Sequence, residues 1–153
     1  MASPVRQTTE QSLLGELAEE LLRLGQRRHA TVEGTTLESS AFRLLWLLSD
    51  GRARTQRELA TDLDLDLSTI NRQVNAAVRA GLLERFSVPG SPSRPVRSTT
   101  EGRRRYERDL AVHADLLRSV LAEMGPDAAR DLIRSLAAFN DAVERRVPHR
   151  HRD

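Results

Sequence analysis

The sequence contains no cysteine and no lysine. Without thiols there is no disulfide, no thiolate nucleophile and no cysteine-based redox switch, so a soft metal site would depend on the four histidines. Aromatic residues make up 3% of the chain against 39% hydrophobic residues overall, which calls for an aliphatic core of leucine, alanine and valine. No apolar run approaches the roughly 20 residues that a membrane span needs. Residues 1–9 are polar and lack the apolar segment of a secretory signal, so a cytoplasmic protein is expected, nucleoid-associated when bound to DNA. No Ser-His-Asp order, Gly-rich phosphate loop or close carboxylate pair appears, and neither an enzyme nor a cofactor is expected. Asp62, Asp64 and Asp66 alternate like a calcium loop but lack the following Gly and the distal Glu. The histidines show no His-x-x-x-His pairing, and no metal site is expected.

Every one of the 24 basic residues is arginine, and the formal net charge is only +2. Its distribution says more than its sum. Residues 52–108 hold twelve Arg against seven Asp and Glu, while residues 1–51 and 109–153 are each slightly acidic. A basic middle third is the electrostatic footprint of a phosphate-backbone binder.

Apolar periodicity divides the chain into helices. Leu13, Leu14, Leu17, Leu21 and Leu24 predict an amphipathic helix to about His29, opened by Thr8 and Gln11 as a capping pair. Thr35 with Glu38 predicts a second capping box and a buried helix through Leu48, with Trp46 in the core. Thr55 with Glu58 predicts a third box and a short helix ending near Leu63. After the turn 64–67, Ser68 is expected to cap a fourth helix whose inward face is Ile70, Val74, Ala77 and Val78. Residues 82–88 and 96–99 read as strands around a Pro- and Gly-rich hairpin tip. Glu101 opens a long helix, Gly125 and Pro126 separate it from a last one, and Pro148 ends the pattern.

A short helix, a tight turn, a capped helix and a hairpin form a winged helix-turn-helix. With Ile70 and Val74 inward, Ser68, Thr69, Arg72, Asn75, Ala76 and Arg79 face outward, and Asn71 and Gln73 lie on the flanks. These side chains suit base edges: Arg for guanine, Asn or Gln for adenine, a small apolar group for the thymine methyl. An ordinary solvated face would mix both charges, and this one has no acid. Arg94 near the hairpin tip and Arg97 on the returning strand are candidates for a narrow minor groove. Arg54, Arg57 and the run 103–105 are weaker candidates for phosphates, since charge runs are mostly solvated.

The segment Arg57-Glu58-Leu59-Ala60 to Leu65-Asp66-Leu67-Ser68-Thr69-Ile70-Asn71-Arg72-Gln73-Val74, followed by Ala80-Gly81-Leu82-Leu83-Glu84-Arg85, resembles the multiple-antibiotic-resistance regulator (MarR) family. Ser98-Thr99-Thr100-Glu101-Gly102 keeps the Thr and Gly of the family's Leu-Thr-x-x-Gly and loses the Leu, and the wing lacks an Asp. The resemblance covers about residues 12–147. It implies terminal helices that interlock two subunits, and an effector cleft that His29, Arg43, Trp46 and His113 could line. The apolar stripes agree: Leu13, Leu17, Leu21, Leu117, Leu132, Leu136, Phe139 and Val143 are expected at a dimer interface. His113, on an apolar stripe, reads first as a core or interface histidine.

The expected fold is mainly α with a small β-wing, a winged helix-turn-helix between N- and C-terminal dimerisation helices. Its expected divisions are a disordered 1–9, a dimerisation helix 10–34, the winged domain 35–100, dimerisation helices 101–147 and a tail 148–153. The expected function is sequence-specific regulation of transcription, as a ligand-responsive repressor bound to a pseudo-palindromic double-stranded operator as a homodimer. The alternative is a winged-helix module for protein–protein contact, which would enrich the outward face of the fourth helix in Tyr, Phe or Leu.

Overall fold

The computed structural model describes residues 4–27, 32–90 and 92–147. His29 and the tail histidines His149 and His151 lie outside the described residues. The chain divides into two units, Met1–Val32 and Glu33–Asp153.

The first unit is one helix, α1 (Pro4–Arg27). It begins ahead of the Thr8 capping pair expected from sequence, because proline's fixed φ suits a first helical turn. Glu20 with Arg23 and Ser12 with Glu16 support its polar side across one turn. Leu13, Leu14, Leu17, Leu21, Leu22 and Leu24 are all exposed.

The second unit runs α2 (Ser39–Leu47), a 3-10 turn (Leu48–Asp50), α3 (Gln56–Leu63), α4 (Leu67–Arg79), β1 (Leu83–Arg85), β2 (Val96–Ser98), α5 (Thr100–Met124) and α6 (Pro126–Arg146). β1 and β2 pair antiparallel, Leu83 opposite Ser98 and Arg85 opposite Val96. Arg54 adds a bridge to Val96, each residue donating its backbone N–H to the other's carbonyl. The core draws Leu44, Leu45 and Leu48 from α2 and its turn, Leu59 from α3, Ile70, Val74 and Ala77 from α4, Leu83 and Val96 from the strands, and Tyr106 from α5. Burying each such aliphatic side chain contributes roughly 1.5–3 kcal/mol. Beyond Asp109, α5 and α6 bury little: Ala129 is their one buried residue among those described.

Three expectations about local structure need correction. The Thr35–Glu38 box does not open α2: the helix starts at Ser39, with Glu38 as an extended N-cap making no side-chain cap bond. The backbone N–H groups of Thr36 and Leu37 instead donate to the carboxylate of Asp109 on α5, at 2.8 and 2.7 Å. A long-range carboxylate has displaced a local cap. Trp46 is not core but 57% exposed, because Leu44, Leu45 and Leu48 fill the inward face and a residue two positions from Leu44 and Leu48 points away.

The third correction concerns α4, which is capped at Asp66, whose backbone is extended, and not at Ser68, which lies in the first turn. The Thr55–Glu58 box forms in full.

The junction of wing and α5 explains the Thr-x-x-Gly spacing. The Thr99 hydroxyl accepts from the Gly102 N–H at 2.9 Å, capping α5, and donates to the Gly81 carbonyl at 2.7 Å. Gly102 packs against the chain after α4, where a Cβ would overlap the Leu82 carbonyl oxygen and come within 3.2 Å of a Leu45 methyl. No helix of the described residues is long and apolar enough to cross a membrane.

Candidate nucleic-acid interface

The turn between α3 and α4 is short because Asp64 takes a left-handed conformation, φ 50°, and lets the Leu65 N–H reach back to the Ala60 carbonyl. This aims α4 across α3 and fixes which of its faces is free. Ile70, Val74 and Ala77 are buried. Ser68, Arg72, Asn75, Ala76 and Arg79 are exposed, and Thr69, Asn71 and Gln73 are half-buried on the flanks. No acidic side chain occurs between Leu67 and Arg79. Within 67–79, the face turned to solvent therefore carries hydrogen-bonding and cationic groups, together with Ala76 and the edge residue Leu67.

The wing stands beside this face. A cleft of about 410 Å³ runs between the start of α3, the start of α4 and the hairpin tip, and Arg57, Arg85 and Arg94 are among the residues lining it. Arg57, Arg72, Arg79 and Arg94 make no side-chain hydrogen bond or ion pair among the described residues, which leaves four guanidinium groups available on one side of the winged domain.

Other candidates from the sequence are engaged within the chain. Arg97 pairs with Glu84 at 2.7 Å, directly across the strands, and lies 5.2 Å from the Phe86 ring centroid. Arg54 binds the Asp50 carboxylate through two nitrogens at 3.0 and 2.8 Å, reaches Asp62 at 3.3 Å and donates to the Leu47 carbonyl. Hydrogen bonding from Arg54, then from the Arg52 N–H, lowers the Asp50 pKa to about 2. Hydrogen bonding to Asp50 in turn raises that of Arg54. Arg54 thus clamps the end of α2 to α3. Arg103 donates to the Ser98 carbonyl, Arg104 pairs with Glu101, and Arg105 donates to the Thr36 carbonyl, so the run 103–105 is tied down at the start of α5.

Two contacts were not anticipated. Arg85 donates to the Asn75 side-chain oxygen at 2.7 Å, joining wing to α4. Asp109 is wholly buried and holds the segment entering α2. An aspartate three residues after Tyr106 and four before His113, inside an apolar stripe, is the sequence signal that marks it.

The candidate effector residues among the described ones have separate surroundings. Arg43 donates to the Leu63 carbonyl at the end of α3, at 3.5 Å, and Trp46 faces solvent. His113 is half-buried with its ring 4.8 Å from Phe42, which stands 5.2 Å from Tyr106. That aromatic row links α2 to α5. The candidate dimerisation residues Leu13, Leu17, Leu21, Leu117, Leu132, Leu136, Phe139 and Val143 are all exposed in the single chain, as are Leu116, Ile133 and Val147.

A family model described as winged helix-turn-helix DNA-binding matches residues 37–84. A comparison with curated proteins finds no match. Among solved structures, the PcaV transcriptional regulator of Streptomyces coelicolor, in complex with its natural ligand, is 28% identical, covering 85% of this chain and 93% of that one, with a TM-score of 0.63. RV1404 of Mycobacterium tuberculosis is 25% identical over 93% of this chain and 95% of that one, TM-score 0.62. A MarR mutant from E. coli complexed with operator DNA is alike in fold, with 21% identity, 81% and 93% coverage and a TM-score of 0.69.

Proposed function

We propose that this chain, a winged helix-turn-helix protein with the fold of the MarR-type transcriptional regulators, acts as a homodimer on a pseudo-palindromic double-stranded DNA operator. It is a DNA-binding transcriptional regulator, and α4 is its recognition helix. The observation that carries this is the composition of the free face of α4. Ser68, Arg72, Asn75 and Arg79 are exposed on a helix without an acid, beside a wing that adds Arg94 and an α3 whose first turn adds Arg57. Arg72, with Asn71 and Gln73 on the flanks, serves base edges, and Arg57 and Arg94 serve the backbone and the adjoining groove. A protein-docking face would carry large apolar groups at its centre, where this one has Asn75 and Ala76.

Dimerisation is part of the same proposal. Leu132, Leu136, Phe139 and Val143 recur at helical spacing along α6 and each stays exposed in the single chain. A second copy is the occupant that fits, because a two-fold axis buries matching stripes against each other and sets two recognition helices about one DNA turn, roughly 34 Å, apart. A ligand-responsive repressor working in the cytoplasm is the form of regulation we favour. The Phe42–Tyr106–His113 row is the place in this chain where an aromatic ligand would find ring partners.

Selection from a random duplex pool with the full-length protein tests the reading. The expected result is an inverted repeat with half-sites about 10 base pairs apart. Enrichment of no sequence, with binding to none of the duplexes, would overturn it.

A further inference from the structure

We infer that Arg85 acts through Asn75: it holds the amide oxygen so that Asn75 meets DNA as a hydrogen-bond donor to an acceptor atom, and not in the two-point pairing that asparagine makes with adenine. The inference rests on α4 being the DNA-facing helix, and it concerns what one residue of that helix can read.

The pleat of the wing sets the arrangement. Along β1, Leu83 is buried, Glu84 exposed and Arg85 half-buried, so Arg85 shares the inward face with Leu83 and with its partner Val96. Glu84 and Arg97 pair on the other face. Arg85 is therefore at the end of the face turned toward the helices, which it shares with Leu83, Val96 and the buried Ser98. Its Nη2 donates to Asn75 Oδ1 at 2.7 Å. Such a bond is charge-assisted and about twice as strong as a neutral one.

Pairing with adenine requires an asparagine to accept from N6 through its oxygen and donate to N7 through its amide nitrogen. Arg85 occupies that oxygen from the side of the wing, and Nδ2, with its two N–H donors, is the end of the amide that makes no hydrogen bond among the described residues. The guanidinium beside the amide also makes the local field positive, and α4 has no carboxylate to offset it. A base-edge donor such as the adenine amino group is disfavoured there. The groups that fit are acceptors: guanine O6 and N7, thymine O4, or a backbone phosphate oxygen.

Duplex selection and binding with the full chain, as wild type, Asn75→Ala, Arg85→Met and the double variant, separate the outcomes. If the acceptor is a base, the wild type enriches guanine or thymine at one position of each half-site, Asn75→Ala flattens that position, and Arg85→Met admits adenine there. If it is a phosphate, Asn75→Ala weakens every sequence by the same factor, roughly tenfold or less. In both cases the Arg85→Met effect shrinks when Asn75 is already alanine, because Arg85 acts through it. Asn75→Asp keeps a partner for Arg85 while removing the donors, so it should lose the preference or the affinity with the fold intact. Adenine enriched at that position by the wild type, or additive effects of the two single variants, would overturn the inference alone. A wild type that binds no duplex would overturn the DNA reading along with it.

Discussion

In the winged core Leu44, Leu59, Ile70, Val74 and Val96 have no exposed surface, whereas in the flanking helices Leu117, Leu132 and Leu136 keep 61%, 40% and 45% of theirs. The two regions use the same kind of sequence, aliphatic residues recurring at helical spacing. Periodicity reports a face that gains by leaving water, and it does not report whether the same chain supplies the cover. In residues 37–106 the chain covers its own faces. Along most of α5 and α6 it does not, and α1 taken by itself carries a bare leucine stripe. The winged core should therefore behave as a folding unit, and the flanking helices as an interface.

Removing the interface is expected to have the largest effect. Truncation after Gly125 deletes Leu132, Leu136, Phe139, Val143 and Val147 together. At roughly 1.5–3 kcal/mol for each side chain buried in the proposed dimer, that loss exceeds what a stable association can spare. Light scattering should show monomer or aggregate in place of dimer, and a stable dimer of the shortened chain would break the comparison. Next comes Gly102→Ala, which forces a Cβ into the Leu82 carbonyl at the joint between core and α5. A loss on the order of 3 kcal/mol in urea unfolding is expected. Asp109→Ala should follow, at about 1–3 kcal/mol, since it leaves the N–H groups of Thr36 and Leu37 without their acceptor. An unchanged midpoint would mean that water replaces the carboxylate without cost.

The smallest effect is expected at the Arg54 clamp. Asp50 has a pKa lowered from 3.8 to about 2 by the Arg54 and Arg52 hydrogen bonds. A carboxylate with a lowered folded-state value stabilises above its unfolded pKa and loses that contribution as pH falls through the folded one. Asp50→Asn should therefore lose a small contribution that is fully present above pH 3.8, so that it lies slightly below wild type at neutral pH and converges with it as pH falls to about 2, flattening the acid limb. A thermal melt series across that range would show it.

Much of the core was legible in the sequence because its signals are local. The Thr55–Glu58 box, the inward Ile70–Val74–Ala77 row and the Gly81 turn involve residues within a few positions of one another. What escaped depends on partners far along the chain. Thr36 and Leu37 take their acceptor from a residue more than seventy positions away, so a plausible Thr35–Glu38 cap lost to Asp109. Trp46 looked like core because every neighbour is apolar, and only the placement of α2 against the other helices decides which side is covered. Among the arginines, sequence separated a basic middle third from the rest, yet it could not distinguish those locked to Asp50, Glu84 or Glu101 from Arg57, Arg72, Arg79 and Arg94. Charge counts are local properties, and charge availability is a tertiary one.

The central claim is that the free face of α4 carries sequence specificity, and Arg72→Ala tests it most directly. Arg72 is exposed and contributes nothing to the core, so the variant should keep its thermal stability. The measurement is the ratio of affinities for the selected duplex and for an unrelated one, at a single fixed salt concentration. The expected result is a loss of roughly 1–3 kcal/mol on the selected duplex and a much smaller loss on the unrelated one. Equal losses on both duplexes leave the ratio at its wild-type value and would contradict a sequence-reading role for Arg72, making it a backbone contact; no loss on either duplex would contradict the assignment of α4 as the recognition helix.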